Sequence, residues 1–217
     1  LDKLLQLAAQ DSISEMQIAS LSIIQILMQN VEFFHLFLEY PGALPLFCSL
    51  LSVDNEEAFN IDVSILETVF DDEGGRAKLR EFNVIDGILE ICRKCADEIE
   101  NPERRAPIQS LTKILSSILI NQEEFPVKVI QDITEIFVKC YSHPFSNLLY
   151  MTYPLVKSIF ERFTDPWGIL VETGFLDIFC SKMPHLERSD QGILLQTLLF
   201  LTSRDDEDGQ ALILERI

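Results

Sequence analysis

Apolar residues along this chain recur at three- and four-residue spacing in long runs, and glycine and proline stand at the joints between the runs. Val63, Leu66, Val69 and Phe70 form one such stripe, with Asp62, Ser64 and Glu67 assigned to the other faces of the same helix. Leu111, Ile114, Leu115, Ile118 and Leu119 form a second. This spacing follows the period of an amphipathic helix. No stretch combines period-two alternation with hairpin-turn residues, so the pattern predicts an all-α chain. Pro154 falls inside the run 147–163, where it removes a helical hydrogen bond and crowds the preceding turn, predicting a kink near Tyr150. Asp165-Pro166 marks a helix start with proline at the first helical position, which predicts a partly exposed Trp167 just behind it. The other aromatic residues, Phe33, Phe34, Phe37, Phe160, Phe163, Phe175 and Phe179, are expected in the core.

A longer period is superimposed on the helical one. DDEGGRAKL at 71–79 and DDEDGQALI at 205–213 lie 134 residues apart, close to three units of about 45. Gly42-Ala43-Leu44-Pro45 opens an aliphatic run, and Asn83-Val84-Ile85-Asp86 occupies the same place 41 residues later. Asp132 follows Asp86 by 46 residues, and Asp177 of Gly174-Phe175-Leu176-Asp177 follows by a further 45. In this register 42–92 reads as a short helix, an acidic turn, a longer helix, an acidic glycine-bearing turn, a short helix, and the first helix again. The stretch resembles an armadillo repeat. The resemblance implies a right-handed α–α superhelix of the armadillo/HEAT type with about five repeats. It covers 1–217 as one domain, with approximate units 1–41, 42–82, 83–125, 126–173 and 174–217. Two departures stand out. The NQEEF before Pro126 is too short for a first helix, so that joint resembles a two-helix HEAT unit, and ENPERRAP at 100–107 is an expanded turn. The acids ahead of each first helix are read chiefly as caps, placed against free N–H groups and the positive end of the helix dipole.

The resemblance also implies a use. Such arrays hold a protein partner along a concave surface lined by the third helix of each unit. Peptide-binding members of the family carry a tryptophan and an asparagine one turn apart on that helix. Here the tryptophan place falls on Ser22, Ser64, Lys113 and Pro154, and the asparagine place on Ile26, Thr68, Ser117 and Ser158. None matches, so clamping of an extended peptide is not expected. The expected lining is Gln25, Ser64, Glu67, Lys113, Ser117, Lys157 and Ser158, which suits a folded partner or a helix.

Charge narrows the choice of partner. Seventeen Lys and Arg against 35 Asp and Glu leave a formal charge of −18, which repels phosphate backbones and anionic lipid surfaces. Neither nucleic acid nor membrane is expected as a partner. The acids cluster at unit joints, so Asp71, Asp72, Glu73, Asp205, Asp206 and Glu207 are expected to form an acidic edge facing a basic partner. The five cysteines, Cys48, Cys92, Cys95, Cys140 and Cys180, are scattered in apolar helical contexts, which fits a reducing compartment, the cytoplasm or the nucleus. Cys92 and Cys95 form a CxxC on a helix, without the second pair that zinc needs or the strand–helix setting of a redox motif. His35, His143 and His185 have no acidic or cysteine partner at ligand spacing, and no phosphate loop or nucleophile elbow is present. No cofactor is expected. No apolar run reaches the length of a membrane span, and a chain opening on Leu1 is expected to be a segment of a longer protein. The leading expectation is therefore a non-catalytic interaction scaffold or regulatory subunit. A structural spacer that self-associates through apolar ends at 1–7 and 211–217 is the rival, and an enzyme using Cys92 and Cys95 comes third.

Overall fold

The computed structural model describes residues 1–9, 15–50, 55–101, 105–141, 148–182, 188–204 and 207–216, and every element among them is helical. The chain divides into two compact units, 1–117 and 118–217. The first contains α1 (Asp2–Ala8), α2 (Glu15–Leu27), α3 (Val31–Glu39), α4 (Ala43–Leu50), α5 (Glu56–Asp71), α6 (Glu73–Glu81), α7 (Val84–Asp97) and most of α8 (Arg105–Ile120). The second contains a 3-10 turn (Gln122–Glu124), then α9 (Val127–Tyr141), α10 (Leu149–Arg162), α11 (Pro166–Glu172), α12 (Phe175–Lys182), α13 (Arg188–Thr202) and α14 (Glu207–Leu214).

A cadence runs through this order. The trios α3–α5, α6–α8 and α11–α13 each close on their longest helix, of 16, 16 and 15 residues. Before α9 the first member shrinks to the 3-10 turn, where the sequence leaves only NQEEF. The same backbone device precedes the middle helix of every trio. Gly42, Asn83 and Gly174 adopt φ of 88°, 55° and 74°, each one residue ahead of α4, α7 or α12. Glycine adopts that left-handed geometry without a Cβ clash, and asparagine tolerates it better than most residues.

Side-chain caps start the helices. Asn30, Asn55, Asp72 and Asp165 accept hydrogen bonds from the backbone N–H of Phe33, Ala58, Gly75 and Gly168 at 3.0, 2.9, 2.8 and 2.8 Å. Each satisfies a donor that the first turn leaves unpaired. Gly75 and Gly209 hold equivalent places in the two acidic motifs, and both are sites of close approach. A Cβ on Gly75 would overlap the Val69 carbonyl, and one on Gly209 would overlap the Trp167 ring.

Three expectations change in the core. Trp167 is buried, 8% exposed, because Gly209 lets α14 close over its indole while Phe160 meets it edge-on at 5.3 Å. The first helix does not offer an apolar face to solvent either, since Leu5 is buried and Leu4 and Leu7 are half-buried. Asp62 does not join Ser64 and Glu67 on the outer side of α5. It is wholly buried, with neither carboxylate oxygen hydrogen-bonded, and burial alone raises its pKa from 3.8 to about 8. Pro154 stands in the second turn of α10, which continues through it to Arg162.

Candidate interaction surfaces

The long helices α2 and α5 pack side by side in the first unit. Gln25 Nε2 donates to Ser64 Oγ across them at 2.8 Å, joining two of the residues expected to line a binding surface. Beside this bridge lies an open groove of about 530 Å³ lined by Gln25, Glu57, Asn60 and Ile61. Glu67 and Ser117 are half-buried, and the side chain of Lys113 lies outside the described residues. With a carboxylate, two amides and an isoleucine, the groove can accept hydrogen bonds, donate them and cover a small apolar group. Among its described lining residues no nucleophile is paired with a base.

In the second unit a cleft of about 400 Å³ is lined by Ile120, Asn121, Glu123, Glu124, Lys157, Glu161 and Arg162. Lys157 is exposed and pairs with Glu161 at 3.7 Å, while Arg162 donates to the Phe125 carbonyl at 2.9 Å. Ser158, expected on the lining, is not there. It is 1% exposed, and its hydroxyl lies 2.8 Å from the Pro154 carbonyl and 3.2 Å from the Leu119 carbonyl, so it ties α10 to the end of α8.

The acidic edge is divided. Asp71 and Glu73 are exposed, whereas Asp72 is engaged in capping α6. Asp205 and Asp206 lie outside the described residues, as does the side chain of Glu207 at the start of α14. Cys92, Cys95, Cys140 and Cys180 are buried free thiols, and burial raises the Cys180 pKa further from the thiolate range. The side chain of Cys48 is outside the described residues, as are His143 and His185. His35 is exposed beside the ring of its neighbour Phe34. Among the described residues no group of three or more His, Cys, Asp or Glu is placed to hold a metal ion. No single described helix is long and apolar enough to cross a membrane, although α2 and α3, bent by 118°, pass that test together by length and composition.

The first unit also carries a long run of sequence with acids and no bases. The 72 residues between Lys3 and Arg76 hold twelve Asp or Glu and not one Lys or Arg. Within that span α2 exposes Met16, Ile23 and Ile26 at 54, 45 and 64%.

No protein-family model matches the sequence, and neither does any curated protein. Solved structures do resemble the fold. An engineered protein determined by the Northeast Structural Genomics Consortium superposes with a TM-score of 0.72, over 99% of this chain and 86% of its own, at 14% identity. A second engineered protein from the same consortium gives 0.63, over 99% of this chain and 94% of its own, at 12% identity. Likeness at such identity speaks to the fold alone. The chain has an all-α fold of the helical-repeat kind.

Proposed function

We propose that this chain is an armadillo- or HEAT-like right-handed solenoid of about five repeats acting as a non-catalytic protein-interaction scaffold or regulatory subunit in the cytoplasm or nucleus. The recurring trios and the left-handed residue ahead of each middle helix support the repeat assignment. The observation that carries the binding role is the α2–α5 groove, lined by Glu57, Asn60 and Ile61 beside the Gln25–Ser64 bridge. Its partner is a folded surface or helix rather than an extended peptide. A non-catalytic role is favoured by Cys92 and Cys95, which are 0% and 1% exposed and out of reach of a substrate.

The test is a comparison of wild type with Asn60→Trp, which fills the groove from an exposed position. A protein recovered stoichiometrically from native extract by wild type should be lost with the variant, at unchanged melting temperature. Recovery of the same protein by both would refute the groove as the binding surface. A spacer role has its own support, because Leu195 and Leu199 on α13 are 53% and 67% exposed. Sedimentation velocity separates the two readings. Self-association abolished by Leu195→Ser/Leu199→Ser, with no partner recovered, would favour the spacer.

A further inference from the structure

The groove accounts for one side of α2. Gln17, Ser20, Leu21 and Ile24 turn inward, and Gln25 meets α5. Met16, Ala19, Ile23 and Ile26 remain, spaced three, four and three residues apart and all exposed. That spacing draws a single seam along about three turns of helix, roughly 15 Å long. Beyond Glu15, α2 has no charged residue on any face. A surface helix normally turns charged or polar residues to solvent, and here the outward side carries Met16, Ala19, Ile23 and Ile26. Scattered exposed leucines are ordinary on a protein surface, but an aligned seam has the three-four pattern into which another helix packs.

Charge selects the occupant. The span from Lys3 to Arg76 contains α2, α3, α4 and α5, and its twelve carboxyl groups have no Lys or Arg among them. Glu15, Glu32, Glu39, Glu57 and Asp71 are exposed there. A second copy of the chain would bring the same formal charge of −18, and like charges across an interface oppose pairing. A helix with an apolar stripe bordered by Lys and Arg meets both features at once. We propose that the outer face of α2 docks a basic amphipathic helix of a partner protein through Met16, Ala19, Ile23 and Ile26. This inference rests on the scaffold reading but uses a different face of α2 from the groove, so the two can fail separately.

The probe is a synthetic helix of about 18 residues with leucines at i, i+3, i+4 and i+7 and lysines on the flanks, followed by fluorescence anisotropy. A control peptide replaces every lysine by glutamate. The lysine peptide should bind wild type and weaken as salt is raised, while the glutamate peptide should not bind. Ile23→Ser/Ile26→Ser, two exposed substitutions, should lower the affinity about tenfold or more at unchanged melting temperature. Asn60→Trp should leave this affinity intact even where it abolishes the groove partner. Equal binding to wild type and the double serine variant would reduce the effect to unspecific charge and overturn the proposal, as would binding of neither peptide. Dimerisation of wild type abolished by the double serine variant would assign the face to a second copy. Sedimentation with neutral phosphatidylcholine vesicles, lost in the same variant, would assign it to lipid, and either result also overturns the proposal.

Discussion

Asp62→Asn tests a buried carboxyl group that has no hydrogen-bond partner among the described residues. Asp62 is wholly buried and neither oxygen finds a hydrogen bond, so folding at neutral pH must protonate a group that is ionised in the unfolded chain. Its folded pKa of about 8 lies above the unfolded 3.8, so its contribution is most favourable below pH 3.8 and is lost as pH rises to about 8. Each unit of pH between those values removes about 1.4 kcal/mol, which amounts to about 4 kcal/mol at pH 7. That is a large share of the 5–15 kcal/mol or so by which whole domains are stable. Asparagine keeps the shape and carries no charge in either state, so the substitution stabilises. The unpaired amide resembles the unpaired protonated acid, which leaves the pH-dependent part as the signal. Urea unfolding followed by circular dichroism on both proteins should show the variant ahead by about 1 kcal/mol at pH 4.5 and about 5 kcal/mol at pH 7.5. Other carboxylates titrate over this range, but they do so in both proteins and cancel in the difference. A gap between variant and wild type that stays constant from pH 4.5 to 7.5 would refute the reasoning.

Further outcomes follow from the same contacts. Gly209→Ala should destabilise the second unit by about 1–3 kcal/mol, because its methyl meets the Trp167 ring, and a fall in melting temperature with a shift in tryptophan fluorescence checks it. Ser158→Ala should cost about 1–3 kcal/mol of stability in urea titration, since it leaves the Leu119 carbonyl in the core without this donor, and it should leave partner binding unchanged. Asp72→Ala, which removes the cap of α6, should cost about 1 kcal/mol, measured the same way. Cys92, Cys95, Cys140 and Cys180 should resist a thiol-specific chromogenic reagent in the folded protein and react on addition of denaturant.

The helices and their rhythm were legible in the sequence because period and punctuation are local signals. The three-four spacing marks long helices such as α5 and α8, and the register through Gly42, Asn83 and Gly174 falls on the three described residues with left-handed backbone. Asp72 was readable as a cap for the same reason, since a cap acts on an N–H three residues away. Burial was less legible wherever polarity and period disagreed. Asp62 stands four residues before Leu66 and seven before Val69, which places it on the inward stripe, yet its charge argued for the outside. Ser158 and Trp167 were misplaced because the groups that bury them, the Leu119 carbonyl and Gly209, lie tens of residues away along the chain.

The surfaces follow a different logic from the core. A core residue is constrained by its neighbours, and a family pattern or a helical period can anticipate it. An interaction face is constrained by something outside the chain, and it shows as a departure from what the fold alone requires. Two departures coincide in the first unit: apolar side chains where a surface helix normally carries charge, and a long span with acids but no bases. The span was readable in the sequence from the start, since it is a matter of counting. Its meaning depended on the structure, because only the packing of α2 against α1 and α5 shows which isoleucines remain bare. Exposed apolar groups alone would not distinguish a lipid, a second copy or a partner helix. The excess of acids over bases does distinguish, because a chain of formal charge −18 repels both anionic lipid and an identical copy where a basic helix is drawn in.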